Sequence, residues 1–293
     1  MRRVFILVLV VALAAAALLF FFQSRPVETH KVRIGLLPVV DALPFVVAEK
    51  EGLFKDVELV YFGSARDRDS AIISGQIDVA LHDPVGALML IGRGAPIKIV
   101  GFICCTSPSD SNVGFYFVKA PGASSVKTVA VSKNTIIDYV ASKLVNMSVE
   151  YVDVPSIANR FQLLLEGKVD AAVLPDPWGT LALRKNATLI AKYRDLVVLV
   201  ARDDLLKTQE GRKALENIVA ALNKAVDLYN SDPAKYQQLL AERLNIPREL
   251  GTYEIVWRSH ISPLPRDIFE DAANWLVQKG LLANKPRYED CVS

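Results

Sequence analysis

Apolar and polar positions along this chain fall into short blocks that switch between strand-like and helix-like spacing. From Lys31, KVRIGLL is β-branched and apolar up to Pro38, which predicts a strand. ALPFVVAEKEGLF predicts a helix, with Asp41 as its N-cap and Gly52 as its stop. VELVYF is the next strand, and Gly63-Ser64 leads into a helix through Ile73. IDVAL is a short buried strand ending at His82-Asp83-Pro84, followed by a helix to Gly92 and the strand IKIVGFI. Such alternation predicts an α/β domain with a largely parallel sheet.

The alternation then restarts. VKTVAVS is a strand, TIIDYVASKLV a helix, VEYVDV a strand, IANRFQLLLEG a helix and VDAAVL a buried strand ending at Pro175-Asp176-Pro177. Two phrases mark the repeat: GQIDVALHDPVGA from Gly75 and GKVDAAVLPDPWGT from Gly167. In each, Gly ends a helix because it tolerates the left-handed backbone. The Asp three residues later (Asp78, Asp170) then fixes the turn into the strand by accepting backbone N–H bonds. Beyond DLVVLVARDD the pattern becomes helical: Gln209 to Tyr229, a helix opened by Pro233 and ending near Asn245, then Arg248 to Arg258 and Pro265 to Lys279. The tail after Leu282 reads as loop.

Composition changes this picture in one place. The chain is 52% hydrophobic, and much of the excess is an unbroken apolar run from Val4 to Phe22 behind Met1-Arg2-Arg3. A membrane span needs roughly 20 such residues and a cleavable signal core about 7–15. Leu18 to Phe22 are bulky, leaving no small-x-small cleavage site, and no Cys follows to carry a lipid. Residues 1–25 are therefore read as an uncleaved signal anchor, with a cleaved signal peptide as the alternative. Arg2 and Arg3 place the N-terminus inside and the rest of the chain outside. A net charge of +2, with no basic run past the N-terminus, gives no sign of a nucleic-acid partner.

In open α/β sheets ligands bind beyond the carboxyl ends of strands, where helix N-termini also point. Two facing lobes would line a cleft with Pro38–Asp41, Phe62–Ser64, His82–Pro84, Ser132–Thr135 and Pro175–Trp178, and could close over a ligand by hinge motion. The crossings between lobes are expected at Phe102–Tyr116 and around Val197–Asp203.

RIGLLPVVDALPFVVAEKEGLFKDVELVYF, ISGQIDVAL, VAVSKNTIIDYVASKLV and LLEGKVDAAVLPDPW together resemble the sulfonate, nitrate, taurine and thiamine-pyrimidine binding proteins of ABC importers. The resemblance covers roughly Lys31 to Asp203 in ordered motifs. It implies a two-lobed type II periplasmic-binding-protein fold with the second lobe inserted in the first. Residues 31–112 and 200–293 would form lobe I, its C-terminal part helical, and 113–199 lobe II. It further implies that the loops after matching strands reach the ligand: Pro38 to Asp41, His82 and Asp83, Ser132, Asn134 and Thr135, Asp176 and Trp178. Ser64, opening the helix after the second strand, joins them as a cleft residue.

Each candidate has an ordinary alternative. Ser132, Asn134, Thr135 and Asp41 are common helix caps. Asp83 and Asp176 are common turn formers before Pro. His82 can be a satisfied structural histidine, and Trp178 can be core as well as a stacking platform. Ser and Thr donors with Lys133 suit an oxyanion. Asp41, Asp83 and Asp176 beside an aromatic suit a small heterocycle or cation better, and a thiamine pyrimidine is of that kind.

An enzyme of the same fold, in pyrimidine synthesis for thiamine or a menaquinone route, is one rival. The sequence offers no catalytic residues for it: three histidines (His30, His82, His260) and no metal cluster, phosphate loop or nucleophile elbow. Cys104 and Cys105 are adjacent, Cys291 is remote, and no metal-ligand spacing or cofactor motif exists. A sensory ectodomain is a second rival, and it would want a second span, which no later apolar run supplies. Sequons at Asn146 and Asn186 decide nothing. The expectation is a monomeric solute-binding component, partnered by a small-molecule ligand, a permease and its ATPase, and the membrane through residues 1–25.

Overall fold

The computed structural model describes residues 31–103, 105–106, 114–236, 238–244, 256–257 and 260–293. No helix among them is long and apolar enough to cross a membrane, and the anchor expected over residues 1–25 lies outside them.

The first half folds as β1 (Val32–Leu36), a 3-10 turn (Val40–Ala42), α1 (Leu43–Lys50), β2 (Val57–Tyr61), α2 (Ala65–Ile73), β3 (Val79–His82), α3 (Pro84–Gly92) and β4 (Ile97–Ile103). A two-residue β5 (Cys105–Thr106) precedes β6 (Gly114–Lys119), β7 (Thr128–Val131), α4 (Ile136–Leu144), β8 (Glu150–Asp153), α5 (Ile157–Leu165), β9 (Ala171–Pro175), α6 (Trp178–Arg184) and β10 (Thr188–Arg194). Then come β11 (Val197–Arg202), α7 (Asp203–Lys207), the long α8 (Gln209–Ser231), α9 (Leu239–Leu244), β12 (Val256–Trp257), α10 (Arg266–Gln278) and α11 (Tyr288–Cys291).

Two five-stranded sheets result, ordered β2-β1-β3-β11-β4 and β10-β6-β9-β7-β8. Both are largely parallel in strand direction, with one reversed strand each. In each, four strands run the same way (β2, β1, β3 and β4; β8, β7, β9 and β10), and one, β11 or β6, runs against them and pairs antiparallel on both sides. The reversed strand is in each case the one the chain enters after a crossing, β6 on leaving the first sheet and β11 on returning to it. β11 pairs along its whole length with the first sheet, so the return falls before Val197, ahead of the expected 199/200 boundary. The C-terminal helices also return to the first sheet's side: α8 lies against α1, α10 against α3, and α11 against β4.

Gly75 and Gly167 hold φ of 75° and 64°, the left-handed helix ends that the repeated phrase calls for. Asp78 and Asp170 do fix backbone, but across to the neighbouring strand. Asp78 accepts from Arg33 N (2.9 Å) and Asp170 from Lys127 N and Thr128 N (both 2.9 Å). Helix 248–258 is not what forms at its described end, because Val256–Trp257 pairs antiparallel with Cys105–Thr106. The rest of that segment and Cys104 lie outside the described residues. The tail is not wholly loop, since Tyr288–Cys291 forms one helical turn with Cys291 buried.

Two apolar cores flank the sheets, and each runs through both. One joins Leu36 and Phe45 to Phe161, Leu174 and Trp178. The other joins Leu88 and Val198 to Val131 and Tyr139.

Candidate functional site

Between the carboxyl ends of the two sheets lies a cavity of about 70 Å³, measured at the centre of a water-sized sphere. That exceeds the room one water needs, roughly 10–15 Å³ on the same measure. The first sheet supplies Leu37, Val39 and Asp41 after β1, Ala65 and Arg68 from α2, and Leu81, His82 and Asp83 at the end of β3. The second supplies Ser132, Thr135, Ile136 and Ile137 around the start of α4, Pro155 and Ile157 at the start of α5, and Pro175 ending β9. Phe115, Asp195, Leu196 and Val197, at the crossings, close the back. Most of the wall is apolar, and α2, α4 and α5 begin at it.

Of the expected residues, the structure brings Asp41, His82, Asp83, Ser132 and Thr135 together at this cavity. Asp41 does not cap α1. It sits inside the 3-10 turn, and the N-cap position falls to Ala42, which makes no side-chain cap. The turn arises because Pro44 occupies the first helical turn and the chain tightens ahead of it. Asp83 caps α3, accepting from Gly86 N at 2.6 Å. Thr135 caps α4, accepting from Ile137 N (3.2 Å) while donating to Ser132 O (2.7 Å).

Ser64, Asn134, Asp176 and Trp178 are not among the lining residues. Ser64 caps α2 through Asp67 N at 3.2 Å. Asn134 takes a left-handed φ of 60°, and its N–H donates to Asp138. Asp176 is buried and accepts from Thr180 Oγ1 at 2.8 Å. Trp178 is no open stacking platform: it is 5% exposed, its Nε1 donates to Pro38 O (2.7 Å), and its ring meets Phe161 edge-on. The two repeats differ by one residue here. Asp83 stands eight positions after Gly75, whereas Pro175 stands eight after Gly167 and Asp176 nine. The extra residue puts Pro175, and not Asp176, at the place equivalent to Asp83, and it is Pro175 that lines the cavity.

Arg68 went unnoticed in the sequence. It is 2% exposed at the cavity wall and donates to Asp69 Oδ1 from Nε (3.0 Å) and Nη2 (2.7 Å), and to Leu81 O from Nη1 (2.9 Å). His82 Nε2 lies 2.9 Å from both Arg68 Nη2 and Asp69 Oδ1. Burial works to raise the Asp69 carboxyl, but Arg68 and His82 outweigh it and hold it well below the usual carboxylate range.

A signal for this cluster was present. Extended backwards, the repeat reads Ser-x-x-x-Arg seven residues before each Gly: Ser64 and Arg68 before Gly75, Ser156 and Arg160 before Gly167. Both serines cap helices, and both arginines are buried and bond a carbonyl six positions after the Gly. Arg160 reaches Val173 O (3.1 Å), Val154 O (2.8 Å) and Pro155 O (3.3 Å), and among the described residues no carboxylate is bonded to it. Burial pushes its guanidinium down to about 10, against the pull of nearby Asp153. Asp195 was also unforeseen, lying in the two-residue link between β10 and β11.

Among the described residues no group of three or more His, Cys, Asp or Glu is placed to hold a metal. Arg68 is the one cationic side chain among the lining residues, against the carboxylates of Asp41, Asp83 and Asp195.

A family model described as NMT1-like matches residues 25–106. No curated protein matches the chain. Among solved structures, the ligand-binding component of an ABC-type import system from Staphylococcus aureus, with zinc bound, superposes with a TM-score of 0.72 at 17% identity, covering 90% of this chain and 97% of that one. The alkanesulfonate-binding protein SsuA from Xanthomonas axonopodis pv. citri, bound to MOPS, gives 0.70 at 19% identity, covering 90% and 96%. The periplasmic nitrate-binding protein NrtA from Synechocystis PCC 6803 gives 0.68 at 14%, covering 89% and 84%. The chain therefore has the periplasmic-binding-protein fold, and the sequence resemblance to the sulfonate and nitrate type holds at the level of fold.

Proposed function

We propose that this chain is the extracytoplasmic solute-binding component of an ABC importer, rather than an enzyme. It would capture a small molecule between two lobes and deliver it to a permease and its ATPase. The observation that carries the reading is the cavity walled by strand ends of both sheets, backed by the chain crossings, in a fold shared with importer binding proteins. Lobe I would comprise residues 31–112 and the chain from Val197 onward, with lobe II between them. The apolar run of residues 1–25 would hold the domain beside its permease and raise its effective concentration there.

The favoured ligand is a small heterocycle or cation with an apolar body, such as an aminopyrimidine. Arg68 is no hook for an anion, because its donors are engaged by Asp69 and Leu81 O. Asp41, Asp83 and Asp195 would face a donor-rich or positive group. A sulfonate- or nitrate-like oxyanion is the second reading. It is favoured by the helix N-termini and hydroxyls at Ser132 and Thr135, and by the names of two neighbouring structures.

The test is a thermal-shift and calorimetric screen of the full chain in detergent against pyrimidines, thiamine, polyamines, amino acids, sulfonates and nitrate. A specific solute at 100 times its dissociation constant adds roughly 2.7 kcal/mol to stability. A pyrimidine or cation hit abolished by Asp83→Asn supports the favoured ligand, and an oxyanion hit replaces it with the second reading. A panel without any hit, extended to crude extract dialysed against the protein, counts against solute capture itself.

A further inference from the structure

The two sheets are joined on one side only. β4 leads through residues 104–113 to β6, and β10 leads through Asp195-Leu196 to β11. In the first sheet β2 is the edge opposite β4, and in the second β8 is the edge opposite β10. The chain beyond β2 and the end of β8 therefore stand farthest from the crossings, where a rotation about them opens the widest gap.

These two places are bonded to each other. Arg66, in the first turn of α2 directly after β2, donates from Nη2 to both oxygens of Asp153, the last residue of β8, at 2.9 and 2.8 Å. Ile157 N, at the start of α5, approaches Gly63 O at 3.4 Å beside them. Asp153 is itself anchored, because its Oδ1 also accepts from Lys133 N at 2.9 Å in the turn before α4. Arg66 reaches that same turn through Lys133 O at 3.4 Å. Neither Arg66 nor Asp153 lines the cavity. We propose that Arg66 and Asp153 form a clasp at the mouth of the cleft, which holds the closed form and sets how readily the cavity opens without touching what it holds.

The pair is accessible, with side chains 45% and 32% exposed. It is therefore weak enough to be reversible and open to screening by salt. Its position gives it leverage. The carboxylate is fixed by second-sheet backbone, while the guanidinium rides on the first sheet, so opening must break it. The inference rests on the topology and not on any choice of ligand.

The experiment measures opening without a solute. Spin labels on unnatural side chains at Ile73, the exposed end of α2 on the first sheet, and at Met147, exposed between α4 and β8 on the second, report the separation by pulsed dipolar spectroscopy in the full chain in detergent. Wild type at low salt should give one short distance. Arg66→Glu, which sets two carboxylates face to face, should add a longer population, moving the open-to-closed ratio by about two- to five-fold, the size an exposed pair supports. Arg66→Lys should stay closed, and 1 M salt should act on wild type in the direction of Arg66→Glu. An unchanged distance in Arg66→Glu overturns the clasp, as does opening of the same size in Arg66→Lys. Because no solute is added, failure of the solute-binding reading leaves this result untouched.

Discussion

Arg68 and Arg160 occupy equivalent places in the two repeats and carry charge into the interior by different means. Arg68 is balanced by Asp69 at 2.7 Å, whereas among the described residues Arg160 is held by three carbonyl oxygens. Removing one partner of a buried ion pair leaves the other charge stranded and typically costs about 3–5 kcal/mol. Replacing a buried guanidinium that bonds no carboxylate among the described residues strands no charge, and the carbonyl hydrogen bonds it gives up are offset by the desolvation penalty of several kcal/mol that is relieved. Arg68→Met should therefore lower the urea midpoint more than Arg160→Met, and equal losses would refute the distinction. The Asp69 carboxyl also predicts a pH dependence. Its folded value is depressed, so its contribution is complete above the unfolded value near 3.9 and drains away as pH falls below about 4. Asp69→Asn should be less stable at pH 7 and should show a shallower loss of stability on acidification, read from urea unfolding between pH 3 and 6. At this scale the sequence was half legible. Asp41, His82, Asp83, Ser132 and Thr135 could be placed because strand ends face clefts. Arg68 was passed over, because an arginine amid Arg66, Asp67 and Asp69 reads as an exposed charged face until its spacing is matched to that of Arg160.

Elements were clearer where both local pattern and turn chemistry spoke. The repeated Gly-x-x-Asp phrase forecast two helix stops and two buried strands, and Asp170 shows what the carboxylate does. One oxygen takes bonds from Lys127 N, Thr128 N and Thr128 Oγ1, tying the start of β7 to that of β9. Those donors hold the Asp170 carboxyl below its ordinary range. Asp170→Ala should lower the melting temperature while leaving the Ile73–Met147 distance unchanged, since it loosens the second sheet at the ends remote from the cleft. A changed distance would show that the phrase also governs opening. What the pattern could not give was β6 and β10. GFYFVK began inside the segment read as a crossing, Phe102–Tyr116, and TLIAKYR mixes polar and apolar residues because β10 is an edge strand with an exposed face. Their antiparallel pairing is a consequence of topology and has no local mark. The displacement of Asp176 has the same character, since one inserted residue moves it off the place equivalent to Asp83 without altering the look of Asp-Pro.

At the scale of the whole molecule the two sheets are bridged by bonds at unequal distances from the crossings, and these should not be interchangeable. Near the crossings, Asp271 of α10 accepts from Tyr139 of α4 and pairs with Lys143 at 2.9 Å, and Tyr139 also meets Tyr193 of β10 at 3.0 Å. Burial, then Asp271 and Tyr193, push the Tyr139 phenol far up, so it stays a proton donor through any ordinary pH. In the middle, Val40 N donates to Asp176 O (3.0 Å) and Trp178 Nε1 to Pro38 O (2.7 Å). At the mouth stand Arg66 and Asp153. A bond close to an axis changes length little when the bodies on either side rotate, so it stabilises open and closed forms alike. A bond at the far edge stabilises the closed form alone, and only such a difference shifts a population. Asp271→Asn should therefore lower the melting temperature and leave the open population as in wild type, while Arg66→Glu should open the cleft with little change in melting. Trp178→Phe, which keeps the edge contact with Phe161 but loses the bond to Pro38, should do some of each. The same labelled chain and one melting curve per variant decide the matter. If Asp271→Asn opens the cleft as far as Arg66→Glu does, the axis does not lie where the crossing strands put it.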